Sequence, residues 1–364
     1  MNNEFINKFL LIQTKEYTVK KYYIKKLLGV GSVGHIYLLI NQKKKFILKV
    51  SNDNCYNELL SELIIVKNNM KNISYYPLYY GKINIKNNIR FGIIYPFIGT
   101  YNLDQIKLIN YYIDFNNIIN IIKQIILQLK SFQNIIHCDI KSSNIVLNNK
   151  LNPTIIDFGL INNINNLDNK NYILSTIYLT SPESLLTHNK YKHIIINKNI
   201  INLSKHDNFG LFTIIINLFL TNNYNYWNII CEYLCDYLKF DNKLIINQNY
   251  SDIYIYCWYR FFYKNINNLC SCKTLNLNIC CIYKKLINNI IDYYKKEKIY
   301  LCKIDFLLFD DFFNIFIKKK LDLNRININN ILLFKDFLIN LVHFNFNQRY
   351  TYDKLLNHKF LTNI

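Results

Sequence analysis

Three glycines and a lysine carry the first chemistry in this sequence. Leu28-Gly29-Val30-Gly31-Ser32-Val33-Gly34-His35-Ile36 has the spacing G-x-G-x-x-G, in which missing side chains let backbone N–H groups approach phosphate oxygens. A dinucleotide site would need a helix directly after the third glycine. Ile36-Tyr37-Leu38-Leu39-Ile40 reads instead as a strand, so that alternative fails. Fifteen residues past Gly34, Lys49 stands alone in the apolar run Phe46-Ile47-Leu48-Lys49-Val50. A lone ammonium there needs an anion. Phosphate and a carboxylate from the next helix would supply it, and Glu62 fits better than Glu58 because Ile65 and Val66 follow it at helical spacing.

A denser cluster follows in Ile136-His137-Cys138-Asp139-Ile140-Lys141-Ser142-Ser143-Asn144-Ile145-Val146-Leu147, and then Asp157-Phe158-Gly159. The order H-x-D-x-K-x-x-N followed by D-F-G resembles the catalytic loop and metal-binding motif of the eukaryotic protein kinase family, serine/threonine class, with Cys138 where arginine usually stands. Ser175-Thr176-Ile177-Tyr178-Leu179-Thr180-Ser181-Pro182-Glu183 is similar to the family segment ending in A-P-E, with Ser181 replacing the alanine. Asp207-Asn208-Phe209 resembles the D-x-W/F element, although Phe212 replaces its later glycine. Asn347-Gln348-Arg349 and Leu355-Leu356-Asn357-His358-Lys359-Phe360-Leu361 resemble the last family subdomain.

The resemblance implies transfer of the γ-phosphate of ATP to protein Ser/Thr hydroxyls, with Mg²⁺ as cofactor and a protein substrate as partner. Asp139 would orient the acceptor hydroxyl and take its proton, Lys141 would offset γ-phosphate charge, and Asn144 and Asp157 would ligate the metal. Lys49 and Glu62 would form the phosphate-anchoring pair. Leu28, Ile36, Ile47 and Val146 would enclose the adenine, with Ile94 as gatekeeper and Phe97 supplying backbone contacts, since Pro96 has no N–H. His137 would be structural. Thr176 would sit beside Asp139, Asp207 would brace the catalytic loop, and Arg349 would pair with Glu183. Cys138 removes the arginine that gathers a phosphorylated activation loop, which predicts activity independent of loop phosphorylation. The competing reading is a pseudokinase scaffold, against which the retention of Lys49, Asp139, Asn144 and Asp157 counts.

Positioning these groups requires two kinds of element. From Tyr17 to Phe97, Ile/Tyr/Phe-rich runs broken by glycine and asparagine turns predict antiparallel strands, interrupted by one helix over about Tyr56 to Met70. Beyond Gly99 the pattern turns helical, with Ile118, Ile122, Ile125, Leu129 and Phe132 marking a stripe and Phe209 to Leu220 a buried helix. The expected fold is α+β and bilobal, a kinase N-lobe over residues 16–96 and a C-lobe over 97–364. Asp207 and Arg349 lie 142 residues apart, so an insertion is expected within 221–328.

Composition bounds the rest. The 364 residues are 51% hydrophobic and contain no alanine, a bias toward Asn, Ile, Lys and Tyr that weakens propensity arguments. A formal charge of +20, from 44 basic and 24 acidic residues, attracts anions at long range, but no nucleic-acid module accompanies it. Ten irregularly spaced cysteines predict an intracellular protein, cytoplasmic or nuclear, and Cys270-Ser271-Cys272 with Cys280-Cys281 fits zinc spacing poorly. Apolar runs of about 12 residues fall short of the roughly 20 that span a membrane.

Overall fold

A computed structural model describes residues 6–13, 19–31, 33–69, 75–85, 88–109, 111–132, 135–163, 181, 205–226, 228–230, 232, 288, 292, 309–344 and 348–363. The sheet comprises β1 (Phe9–Gln13), β2 (Val19–Val30), β3 (Gly34–Asn41), β4 (Lys44–Ser51), β5 (Tyr79–Ile85) and β6 (Asn88–Pro96), in the order β1-β2-β3-β4-β6-β5. All of its pairings are antiparallel. Strand alternation sorts the side chains onto two faces. Tyr22, Ile24, Tyr37, Leu39, Leu48, Val50 and Ile94 form a separate cluster on one. Register puts Ile36 and Ile93 opposite Lys49, and Leu38 and Tyr95 opposite Ile47, all on the other. Strand β1 lies ahead of the boundary expected at residue 16 and extends the sheet toward the N-terminus, because its short apolar run pairs along β2.

Helix α1 (Tyr56–Asn69) packs against the second face, burying Leu59, Leu63 and Val66 at the spacing that predicted it. Met70 lies outside the described residues. After β6 and the two-residue strand β7 (Tyr101–Asn102), the chain becomes helical. Asn102 starts α2 (Leu103–Leu108) with a capping box: its Oδ1 accepts from Gln105 N at 2.8 Å, and its own N–H donates to Gln105 Oε1 at 3.1 Å. Asp114 caps α3 (Phe115–Ser131), whose predicted stripe is buried throughout.

Short strands β8 (Ile135–Ile136), β9 (Ile145–Leu147), β10 (Pro153–Ile155) and β11 (Asn162–Asn163) carry the catalytic-type motifs across the top of this helical layer. Helix α4 (Asp207–Phe219) is buried along almost its whole length, as its continuous apolar run requires. A turn of helix, α5 (Phe309–Phe312), runs into a π-helical segment over Phe313–Ile317. Helices α6 (Ile331–Val342), α7 (Tyr352–Leu356) and α8 (Lys359–Thr362) complete the lobe. One apolar cluster runs from α1 through α3 and α4 to α8. Phe360 sits at its centre, with the rings of Phe115, Phe219, Phe334 and Phe337 at 5.1 to 6.2 Å.

The chain leaves the end of α4 at Thr221 and returns beside it at Lys320, where Thr221 N donates to Lys320 O at 3.0 Å and Asp322 N to Phe219 O at 2.8 Å. Most of the expected insertion, including the paired cysteines, lies outside the described residues. Among the described residues, no helix is long and apolar enough to cross a membrane, and no group of His, Cys, Asp and Glu is arranged to hold a metal ion.

Candidate active site

Lys49 points from β4 into the space between sheet and helical layer, and strand register explains why: its neighbours Leu48 and Val50 face the opposite cluster. Its ammonium lies 2.8 Å from Glu62 Oε2 on α1 and 2.7 Å from Asp157 Oδ1. Glu58, four residues earlier on the same helix, is exposed. One cation thus serves two carboxylates. Burial alone would lower the Lys49 pKa, but Glu62 and Asp157 more than offset it and raise it. For Asp157 the ammonium outweighs burial and holds the carboxyl below its usual range. Glu62, the more buried of the two, is pushed upward because burial outweighs its share of Lys49. The trio carries one net negative charge in its ionised form, at the edge where Asp157 remains 40% exposed.

Two residues at this site adopt φ in the left-handed region, Cys138 at 66° and Asp157 at 63°. Such strain in non-glycine residues persists where surrounding contacts fix it. Around Cys138 the contacts come from α4: Asp207 Oδ2 accepts from His137 N at 2.8 Å and Oδ1 from Cys138 N at 2.9 Å. Burial outweighs these two bonds and lifts Asp207 to about 6. A Cβ at Gly210 would lie 2.3 Å from the Ile140 carbonyl oxygen, so glycine is what lets α4 press against the loop. Held this way, the loop places Asp139 Oδ2 2.7 Å from Lys141 Nζ and 3.0 Å from Asn144 Nδ2. The same Asn144 amide donates to Asp139 O at 2.9 Å, leaving its Oδ1 as the acceptor atom. His137 is fully buried between Phe132 and Phe158, and burial drives its pKa down to about 4, so it is a neutral packing group.

The glycine loop closes on itself through Gly31 N to Gly34 O at 2.8 Å. A Cβ at Gly34 would lie 2.2 Å from Val50 O, whereas one at Gly29 would meet nothing within 4 Å. Gly34 is therefore demanded by the fold, and Gly29 leaves room for something else. Leu28 and Val30 are exposed, Ile36 and Ile47 share the inner sheet face with Lys49, and Val146 is on β9. Ser32 is outside the described residues.

The expected gatekeeper needs correction. Ile94 is 2% exposed and belongs to the outer cluster with Leu48, so it faces away from the cleft. The inward residue is Tyr95, opposite Ile47, with its hydroxyl 3.3 Å from Glu62 Oε1. A strand read one residue out of phase reverses its faces. Tyr95 stacks on Tyr75, rings 4.4 Å apart and 7° from parallel, and Tyr75 lies 6.3 Å from Phe158. By sequence, Tyr95 falls in the hinge with Pro96 and Phe97, not inside the cleft, and Tyr75 is not singled out, since nothing local distinguishes it in a chain rich in Tyr.

Residues 22–200 match the protein kinase domain family. Over this stretch the chain carries a protein kinase domain of the eukaryotic type. Its two lobes, curled sheet and helical layer, are those of the kinase fold. The chain is also 31% identical, over 171 residues, to the serine/threonine-protein kinase pakH of Dictyostelium discoideum, an alignment covering 44% of this chain and 32% of that protein. The match therefore spans about a third of the relative's length.

Several kinase-motif residues remain to be placed. Thr176 and Glu183 lie outside the described residues. Arg349 is buried, with Nε donating to His343 O at 2.6 Å and its guanidinium 4.7 Å from the Phe209 ring. Ser181, at the position where the kinase motif has alanine, is buried with its hydroxyl 3.0 Å from His206 Nδ1, a contact the sequence did not announce. The Cys138 thiol is 1% exposed and points to Ile136 O at 3.6 Å, which suits a packing residue and not a reactive one.

Proposed function

We propose that this kinase-family chain transfers the γ-phosphate of ATP to serine or threonine hydroxyls of a protein substrate. The observation that carries this reading is Lys49 bridging Glu62 at 2.8 Å and Asp157 at 2.7 Å, with the Asp139–Lys141–Asn144 cluster already closed below it. Phosphoryl transfer asks little covalent chemistry of the protein and depends on positioning and charge. Lys49 anchors phosphate oxygens while Glu62 fixes its direction. Asp139 accepts the proton of the acceptor hydroxyl as its oxygen bonds to the γ-phosphorus and the bond to the β–γ bridging oxygen breaks, releasing ADP. Lys141 balances charge on the transferred group.

The donor set fits magnesium: a partly exposed Asp157 carboxylate, the Asn144 Oδ1 left over from its bonds to Asp139, and a net negative charge. Asp157 and Asn144 would hold the metal, which supplies neutralisation of the phosphate oxygens. Lys141, two residues after Asp139, together with the Ser/Thr class of the Dictyostelium relative, supports a hydroxyl of Ser or Thr as acceptor.

Radiolabelled transfer from ATP to casein, histone and the protein itself tests this. Wild type is expected to label Ser or Thr, Asp139→Asn to lose activity by about 10²- to 10⁴-fold, and Lys49→Met to lose it nearly completely. A folded wild type that transfers nothing would replace the enzyme with a nucleotide-binding scaffold.

A further inference from the structure

A cavity of about 680 Å³ opens beside the candidate active site, away from the glycine loop. It is lined by Lys141 and Ser142 of the catalytic loop, Lys107 near the end of α2, Asn217 of α4, and Arg325. Lys141, which lines the cavity, is ion-paired to Asp139 at 2.7 Å, so a group bound there lies one side chain from the residue assigned to the acceptor hydroxyl.

Among the described residues, the charges lining the cavity are three cations, Lys107, Lys141 and Arg325, and one anion, Asp104. Lys141 is committed to Asp139 at 2.7 Å, and Arg325 to Asp322 at 3.2 Å. Lys107 is held differently. Its half-buried ammonium donates to the backbone carbonyls of Asn217, at 3.3 Å, and Tyr224, and among the described residues no carboxylate is in ion-pair contact with it. A desolvated ammonium resting on neutral carbonyls lacks the counter-ion that such groups ordinarily have. Burial and the Arg325 guanidinium push Lys107 down to about 8, and Asp104 does not restore it. The surroundings of Lys107 therefore favour an added negative charge.

We propose that this cavity is a substrate subsite that takes an anionic side chain, carboxylate or phosphate, from the polypeptide being phosphorylated, with Lys107 as its counter-ion. The proposal rests on the reading of the chain as a protein kinase. A cationic flanking residue would meet Lys107 and Arg325 together and be rejected, so the subsite sets specificity by repulsion as well as attraction. The formal charge of +20 on the whole chain works in the same direction by steering acidic polypeptides toward it.

The test is fluorescence anisotropy with serine-containing peptides of four kinds, flanked by neutral residues, glutamates, phosphoserines or arginines. Wild type is expected to bind the glutamate or phosphoserine peptide about tenfold more tightly than the arginine one, about 1.4 kcal/mol, and whichever binds better identifies the anion. Lys107→Met should bring all four within about twofold. Asn223→Asp, at the exposed rim of the same cavity, should also weaken the acidic preference, and it carries the test if Lys107→Met does not fold. Equal binding of all four by wild type would overturn the proposal, as would an acidic preference that survives in both folded variants. Phosphate transfer to the neutral peptide is followed in parallel. Its absence would sink the kinase reading, while the binding comparison still decides the subsite.

Discussion

At the scale of single residues, the site is organised by one ammonium shared between two carboxylates. Glu62 receives a second hydrogen bond from Tyr95, and that tyrosine is stacked on Tyr75, so the acid on α1 is held from the sheet as well as by Lys49. Burial raises the Tyr95 pKa well above its ordinary value, with Glu62 adding to it, so the hydroxyl stays protonated as a donor. Tyr95→Phe keeps the stack and removes the bond. It is expected to cost about 1 kcal/mol of stability and to slow transfer by less than about tenfold, read from melting curves and initial rates. A loss as large as that of Asp139→Asn would mean that the hydroxyl acts in the chemistry itself.

At the scale of elements, helix α4 holds the catalytic loop through the paired bonds from His137 N and Cys138 N to Asp207. Asp207 rises from 3.8 to about 6, so the folded protein binds this proton more tightly than the unfolded chain does. Its contribution to stability is fully present below pH 3.8 and is lost as the pH rises through about 6. Activity should move the other way, because the neutral carboxyl accepts the two N–H bonds less well. Wild type is expected to show a falling limb of rate near pH 6 on acidification, absent in Asp207→Asn. Between pH 7 and 4, wild type should gain on the order of 2 kcal/mol in stability relative to that variant. His137, lowered to about 4, works in the opposite sense, losing stability as the pH falls from 6.5 through 4. For that reason the variant comparison, and not the wild-type curve alone, isolates Asp207.

At the scale of the whole molecule, a single apolar cluster connects both lobes, and its centre at Phe360 gathers rings from α3, α4, α6 and the C-terminal α8 itself. Phe360→Ala, far from the site, should cost about 3–5 kcal/mol and lower the melting temperature without altering the acceptor class. Cys138 is buried and offers no charge to a phosphorylated segment, while Lys49, Glu62 and Asp157 are already in contact. Phosphatase-treated protein is therefore expected to keep most of its transfer rate. A loss of more than about tenfold on treatment would point to a phosphate-gathering residue elsewhere.

The sequence by itself determined the catalytic-type motifs, the choice of Glu62 over Glu58 and the apolar stripes of α1, α3 and α4. These rest on local spacing, and spacing survives without knowledge of the fold. Strand phase on β6 was not legible, because Ile93, Ile94 and Tyr95 are all apolar enough for either face, and the decision fell to pairing with β4. Strand β1 escaped for a similar reason, since a short apolar run becomes a strand only when an edge is available to pair with. The bracing of the catalytic loop by Asp207 was expected from the family resemblance, whereas tertiary structure alone decided that Tyr75 stacks on Tyr95 and that Lys107 rests on carbonyls of α4 and the loop after it. Each depends on which distant elements the core brings together, information that no window of sequence contains.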